Sequence, residues 1–324
     1  MKVQRGDFLL LAALVAGAAM PAWPQAETPE ARQRNGDASI PDFSGIWSHP
    51  SFPGFEPPAS GPGPVVNKSR RPQVNFDGRV LPADNSVLVS NPAQLVGDYT
   101  NPILKPQAAE VVKKKGEVEL SGMVSPTPTI QCWPEPVPYI FNGVAMQMLQ
   151  LPDKIIFLYP NDHQARYVRM NQAHPVTAAP SWYGDSVYEG ETLVIDTVGV
   201  KVGPFAMVDF YGTPYTQALH VVERYRLLDY EAAKEGLERD ARENLRPARG
   251  ADAGSAPDYS YRGKHLQLQF TVEDEGVFTM PWSATITYRR GAEAWREVVC
   301  AENMLELAMA GRNAAVPTAD KPDF

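Results

Sequence analysis

Residues 180–197 read PSWYGDSVYEGETLVIDT, and residues 218–228 read ALHVVERYRLL. The first segment has two runs rich in aromatic and β-branched residues on either side of Glu189-Gly190. Such an acidic–glycine pair is typical of a tight hairpin turn, because glycine accepts positive φ at little cost. The second segment predicts a further strand from His220. Together they predict three successive strands that carry the densest set of reactive side chains in the chain.

Two later segments alternate apolar and polar residues with a period of two, which indicates an antiparallel sheet with one buried face. Their apolar positions are Leu266, Leu268, Phe270 and Val272 in one segment and Trp282, Ala284, Ile286 and Tyr288 in the other. Strand candidates follow one another without regular helices between them. The sequence therefore predicts a mainly β protein, an antiparallel β-barrel or strongly curled sheet with a few peripheral helices. A two-sheet sandwich is an alternative, whereas a propeller would need a repeat of about 40 residues that is not present.

The N-terminus has the pattern of a secretory signal peptide. Met1–Arg5 is short and cationic, Phe8–Met20 is apolar, and small residues follow, so we assign residues 1–26 to the signal. The apolar run is shorter than the roughly 20 residues that a membrane-spanning helix needs. We therefore expect a periplasmic or secreted protein with no stable membrane insertion after cleavage.

The rest of the chain is interpreted as one domain with flexible ends. The predicted parts are a polar tether (27–40), a single β domain (41–304) that includes a Pro/Gly-rich segment (50–101), and a C-terminal tail (305–324). Two peripheral helical regions are predicted, one over 105–120 that breaks near Gly116 and one in an insertion over 229–262.

Charge and cysteine content restrict the possible functions. The net charge of -8 argues against nucleic-acid binding, which needs clustered cations on the protein surface. An exported chain with two cysteines, Cys132 and Cys300, predicts a disulfide between them. Two separate buried thiols are the alternative.

Several short motifs, taken as a set, resemble a family of uncharacterised exported bacterial proteins. The motifs are Gln131-Cys132-Trp133-Pro134, Asp162-His163-Gln164, His174-Pro175, GETLVIDT at 190–197, LHVVERYRL at 219–227, Pro281-Trp282 and Val299-Cys300-Ala301-Glu302-Asn303. The resemblance covers 41–303 and implies export but no activity. Where the family often has Gly-His-Ser, this chain has Gly184-Asp185-Ser186, so a role of that family histidine does not carry over. A leading Gly45-Ile46-Trp47 before an antiparallel meander is also similar to lipocalin-type barrels, an analogy of fold only.

Three histidines are candidates for general acid–base catalysis, because the imidazole group titrates near neutral pH. His163 follows Asp162 and precedes Arg166, although ordinary turn chemistry also explains this group. His174 lies in a loop before Pro175, where it is either a proton carrier or a surface residue. His220 lies at the start of a predicted strand.

The strand 220–228 also places Glu223 on its more apolar face, with Val221, Tyr225 and Leu227. An inward carboxylate is either a base with a raised pKa or one partner of a buried ion pair with an arginine such as Arg166. In the opposite register, His220 and Arg224 would face inward instead.

Aromatic and polar residues near the hairpin predict a small-molecule site. Trp182, Tyr183 and Tyr188 would supply apolar walls, and Asp185 a base, while Arg166 and Arg224 would hold an anionic or oxygen-rich ligand. Aromatic packing across strands is the alternative explanation.

We therefore expect an exported enzyme that uses cofactor-free acid–base chemistry on a small organic molecule, as a lyase, isomerase or hydrolase. Its catalytic candidates are Glu223, His163, His174, Asp185 and His220. No metal-ligand motif, phosphate loop or nucleotide fingerprint occurs in the sequence, so we expect no metal and no cofactor. The alternatives are a lipocalin-like carrier without turnover and an interaction module of the cell envelope, which would need a large exposed apolar patch. The sequence carries no signal for an oligomeric state.

Overall fold

The computed structural model describes residues 41–49, 55, 61–68, 95–121, 123, 125–143, 145–189, 193–243, 260–291 and 299–300. The predicted signal peptide (1–26), tether (27–40) and tail (305–324), and most of the Pro/Gly-rich segment, lie outside these residues. None of the described helices has the length and apolar character needed to cross a membrane.

Nine strands form a closed barrel, which confirms the predicted fold class. They are β1 (Gly45–Ser48), β2 (Ala145–Gln150), β3 (Lys154–Leu158), β4 (Ala165–Met170), β5 (Asp185–Glu189), β6 (Leu193–Val198), β7 (His220–Leu228), β8 (His265–Glu273) and β9 (Trp282–Arg290). Each strand pairs with its neighbours in chain order, and β9 pairs with β1 through Trp47↔Arg290 and Ser48↔Arg289. We call the end at which β6 and β8 finish and β5 and β7 begin the upper end.

The period-two pattern decides which side chains fill the lumen. Leu266, Leu268, Phe270 and Val272 on β8 are all fully buried. At the upper end, Phe55 and Phe141 pack against the inward-facing Phe270, with ring centroids 4.8 and 5.1 Å apart. The lumen is therefore a packed core that the segment preceding β2 helps to close.

The hairpin predicted in the opening segment is present as β5 and β6, with Asp185↔Val198 and Glu189↔Val194 in register. Its first strand begins later than predicted, because Trp182–Gly184 form a turn in which Gly184 has φ +66°. A Cβ at Gly184 would lie 2.6 Å from the Val198 carbonyl oxygen. This position therefore requires glycine.

One pair of neighbouring strands is parallel. β4 and β5 pair through Arg169↔Val187 and Met170↔Tyr188 in the same direction. The connecting segment 171–184 must therefore return along the length of the barrel before β5 begins. The antiparallel prediction did not include this crossover.

Two α-helices occur among the described residues. The first, α1 (Pro106–Leu120), continues through Gly116, so the predicted break is wrong. Gly116 is buried there, and a Cβ would lie 2.9 Å from Val96 Cγ1, so this glycine permits close packing. The second, α2 (Tyr230–Glu243), lies in the predicted insertion and buries Ala233 and Leu237. It packs mainly on β9.

Candidate functional site

The lumen contains one buried ion pair, between Arg166 on β4 and Glu223 on β7. Both side chains are fully buried, and the Nη2–Oε1 and Nη1–Oε2 distances are 2.5 and 2.9 Å. Arg166 also donates to Ser186 Oγ and Thr197 Oγ1, at 3.0 and 2.8 Å. The Tyr225 hydroxyl donates to Glu223 Oε2 at 3.0 Å.

These contacts occupy both carboxylate oxygens of Glu223. Burial alone would lower the pKa of Arg166, but the charge and hydrogen bonds of Glu223 raise it above its ordinary value. The inward orientation of Glu223 is as predicted. Of the two interpretations that the sequence left open, this geometry favours the buried ion pair over a mobile proton, while Arg166 Nε is buried and has no hydrogen-bond partner among the described residues.

Three other candidates meet on the outside of the barrel, near its upper end. We call this group the outer-face cluster; it consists of Arg169, His174, Asp185, Asp196, His220 and Glu273. Asp185 accepts two hydrogen bonds from Arg169, at 2.7 and 2.8 Å, and its Oδ2 lies 2.7 Å from His174 Nδ1. The two histidine rings approach one carboxylate oxygen, Asp196 Oδ1, which lies 2.8 Å from His220 Nε2 and 3.4 Å from His174 Nε2.

Strand parity and the parallel crossover together build this cluster. On β6, Leu193, Ile195 and Thr197 point inward, so Asp196 points outward. His220 on β7 is directly opposite Glu273 on β8, and both face outward, with 3.5 Å between His220 Nδ1 and Glu273 Oε2. His174 lies in the crossover segment 171–184, which brings its ring onto the same outer face.

The two histidines differ in their hydrogen bonding. The hydrogen bond to Asp196 is the largest influence on His220 and raises its pKa above the ordinary value, against the effect of burial. Burial would raise the pKa of Asp196, but the bond and charge of His220, with the charge of His174, lower it. His174 Nε2, by contrast, has no hydrogen-bond partner among the described residues. That nitrogen is buried and lies 3.4 Å from Asp196 Oδ1, so the His174 ring is held between the carboxylates of Asp185 and Asp196.

His163 lies apart from these groups, in the tight turn between β3 and β4. Asp162 and His163 both have φ of 51°, the left-handed backbone that such a turn requires. His163 is exposed, while Asp162 Oδ1 accepts the backbone N–H of Cys300 at 2.7 Å. The disulfide between Cys132 and Cys300 is present, with the Cα atoms 5.4 Å apart, and it confirms the predicted pairing.

Sequence reasoning missed Glu135, which is buried near this disulfide. Its Oε1 accepts a hydrogen bond from Thr129 Oγ1 at 2.7 Å, and its backbone N–H donates to Gln164 Oε1 at 2.7 Å. Burial, only partly offset by the hydrogen bonds that the Thr129 hydroxyl and the Asn161 side-chain amide donate to the carboxylate, raises the pKa of Glu135 to about 7. Its position between Pro134 and Pro136 gives no sequence signal of burial. Asp196 was also missed, although strand parity could have placed it on the outer face of β6.

The predicted ligand-binding residues are dispersed. Trp182 lies at the upper end in contact with Trp133, and the Tyr183 hydroxyl donates to Gln164 Oε1 at 2.9 Å. Arg224 is exposed on the outer face of β7. The side chain of Tyr188 lies outside the described residues.

Two surface hollows bordered by described residues contain none of the predicted site residues. One, of about 400 Å³, lies between Pro62–Pro64, Ile103 and Met280, and the other, of about 280 Å³, lies beside α1. Within the described residues, no three side chains of His, Cys, Asp or Glu are arranged to hold a metal ion.

Fold and site together define a closed nine-stranded β-barrel protein with a packed lumen and a histidine–carboxylate cluster outside it. Comparisons with protein-family models, with curated proteins and with solved structures find no match.

Proposed function

We propose that this protein is an exported acid–base enzyme that acts on a small organic molecule at the outer-face cluster. The observation that carries the proposal is the placement of His174 and His220 on either side of Asp196. Each ring has one nitrogen within 2.8 Å of a carboxylate oxygen, Asp185 Oδ2 for His174 and Asp196 Oδ1 for His220. Both side chains remain partly exposed, at 25% and 31%.

The two histidines differ in the carboxylates that they contact. His220, whose pKa the Asp196 hydrogen bond raises, is the proton donor. His174 is the second residue proposed for proton transfer, because its ring lies between Asp185 Oδ2, 2.7 Å from Nδ1, and Asp196 Oδ1, 3.4 Å from Nε2. Asp185 and Asp196 act as positioning residues, and Arg169 fixes Asp185 by two hydrogen bonds.

Two proton-transfer histidines and two carboxylates on one surface suit a lyase, an isomerase or a hydrolase. The carrier alternative has less support, because aromatic and aliphatic side chains and the Arg166–Glu223 pair occupy the lumen that a lipocalin-like carrier would use. The Cys132–Cys300 disulfide supports export, since disulfides persist in oxidising compartments such as the periplasm.

Solvent-deuterium incorporation tests the proposal and requires no identified substrate. The purified protein is incubated with a bacterial small-molecule extract in D2O, and mass spectrometry follows molecules that gain deuterium or gain or lose water. We expect His174→Gln and His220→Gln to reduce the rate of this change by about 10²–10⁴. Arg226→Gln is the matched control, because Arg226 is exposed on the same strand and contacts only Gln267 among the described residues. Equal rates in the wild type and both histidine variants would refute the assignment.

A further inference from the structure

Three aromatic side chains form a partly exposed group at the upper end of the barrel. We call Trp133, Trp182 and Phe205 the aromatic platform. The Trp133 ring lies 5.3 Å from Trp182 and 5.9 Å from Phe205, and both neighbouring rings are nearly perpendicular to it, at 78° and 77°. Trp133 is 38% exposed, which is unusual for so large a side chain already in contact with two other rings.

The platform side chains come from three separate segments, and specific contacts position two of them. Trp133 follows the disulfide-bonded Cys132, and its backbone N–H donates to the Pro128 carbonyl at 2.9 Å. Trp182 packs edge-on against Gly203, where a Cβ would lie 2.9 Å from the indole ring. A preorganised surface loses little conformational entropy when a ligand binds.

A cation lies directly over the platform. Lys201 Nζ is 4.7 Å from the centre of the Trp182 ring, and the Lys201 side chain forms no ion pair with another described residue. The backbone of Lys201 is fixed, because its N–H donates to the Ser181 carbonyl and its carbonyl accepts from the Tyr215 hydroxyl, both at 2.8 Å. The platform therefore combines flat apolar faces with one fixed positive charge, on a protein whose net charge is -8.

The platform and the outer-face cluster share one end of the same hairpin. Trp182 and Asp185 belong to one turn, in which the Gly184 N–H donates to the Ser181 carbonyl at 3.2 Å. Ser181 pairs with Val200, directly before Lys201, while Asp185 pairs with Val198. A molecule seated on the platform is therefore beside the strand ends that carry Asp185 and Asp196.

We propose that the aromatic platform and Lys201 bind a planar aromatic carboxylate, whose ring packs on the indoles and whose carboxylate pairs with the lysine. The inference names the substrate class of the outer-face cluster and to that extent rests on the proposed function. An aromatic anion fits better than a neutral sugar, because only an anion uses the lysine charge. It also fits better than an organic cation, because the Lys201 charge repels a second positive charge at the platform.

Isothermal titration calorimetry with 2-naphthoate and its neutral analogue 2-naphthamide tests the proposal. We expect 2-naphthoate to bind, and 2-naphthamide to bind about threefold more weakly, because the ion pair with the exposed Lys201 is lost. Lys201→Met and Trp182→Leu should each weaken 2-naphthoate binding to a similar extent. Lys68→Met is the matched control, because Lys68 Nζ lies 4.1 Å from the Tyr99 ring in a similar cation–π contact elsewhere. Its affinity should equal that of the wild type.

The proposal is overturned if the acid and the amide bind equally well, or if Lys201→Met binds 2-naphthoate as tightly as the wild type. It is also overturned if cellobiose, a neutral sugar, binds better than 2-naphthoate. Failure of 2-naphthoate to bind at millimolar concentration would do so as well. Circular dichroism of each variant checks that the barrel is intact. If naphthoate binds but no histidine-dependent deuterium incorporation occurs, the enzyme proposal fails and this site stands. If the incorporation occurs without naphthoate binding, only the substrate class is wrong.

Discussion

The Arg166 guanidinium and the Glu223 carboxylate meet edge to edge inside the barrel, through two parallel contacts of 2.5 and 2.9 Å. Their strands, β4 and β7, are not neighbours, since β5 and β6 lie between them. The pair therefore connects two parts of the wall across the lumen. Such bidentate pairs restrict geometry strongly, and the loss of one partner leaves a charge without compensation.

Glu223→Gln should therefore lower the free energy of unfolding by about 3–5 kcal/mol, because the buried Arg166 charge loses its partner. Denaturant unfolding measures this loss. Glu273→Gln, a partly exposed carboxylate at the end of the adjacent strand, should cost under about 1 kcal/mol. A Glu223→Gln protein as stable as the wild type would return Glu223 to the group of proton-transfer candidates.

The disulfide gives a second prediction. Cys132 and Cys300 are 168 positions apart, so reduction should lower stability by about 5 kcal/mol in the chain-entropy description. Unfolding with and without dithiothreitol measures the change, and peptide mapping without reductant should recover the linked pair. The variant Cys132→Ser/Cys300→Ser should be insensitive to reductant. If dithiothreitol leaves the stability of the wild type unchanged as well, the disulfide contributes nothing to the stability of the fold.

The His220–Asp196 pair should make stability depend on pH in a defined direction. The raised pKa of His220 gives stabilisation that is lost as pH rises through the folded-state pKa, and the lowered pKa of Asp196 gives stabilisation that is lost on acidification. The pair should therefore contribute most between about pH 4 and 6.5. Because both side chains are about one-third exposed, the contribution should stay below about 1 kcal/mol.

NMR titration of the histidine rings checks this result directly. His220 should titrate above the ordinary histidine pKa, and Asp196→Asn should lower its pKa. His265 is an internal control whose pKa shift has the opposite sign, because burial lowers its pKa. A His220 pKa unchanged in Asp196→Asn would contradict the assigned hydrogen bond.

Glu135 should make the folded protein less stable as pH rises, in contrast to a carboxylate whose pKa is lowered on folding. Burial raises its pKa from 4.5 to about 7, so the folded protein holds a proton that the unfolded chain releases. Stability should therefore fall as pH rises from about 4.5 through 7, by on the order of 2 kcal/mol. Glu135→Gln should remove this slope and exceed the wild type at pH about 8. Unfolding at matched pH values tests it, and an unchanged slope would exclude Glu135 as its source.

The period-two alternation of apolar residues was sufficient to predict the strands that form the wall of the barrel. The alternation along β8 and β9 and the parity of β7 place Leu268, Ile286 and Glu223 inward as the sequence predicted. The hairpin followed from its turn residues, and the disulfide from the cysteine count. These features depend on short-range backbone geometry or on simple counting.

The outer-face cluster could not be assembled from the sequence, because it depends on the parallel β4–β5 pairing. No residue in 171–184 signals that this segment returns along the barrel, so the approach of His174 to Asp185 and Asp196 was not predictable. Glu135 was missed for a related reason, since its burial comes from segments that lie far apart in the chain. The predicted helix break at Gly116 was wrong, because the absence of a side chain at this glycine permits close packing against Val96.

The closure of the barrel depends on its shortest strand. β1 has four residues and pairs with β9 at only two positions, whereas β7 and β8 pair at nine. While that seam holds, every strand has two partners, and the sheet offers no free edge to another chain. Once it separates, β1 and β9 expose unpaired backbone groups together. The β1–β9 seam, like the β4–β5 seam that also pairs at two positions, is thus a place where this sheet can open to strands from other molecules.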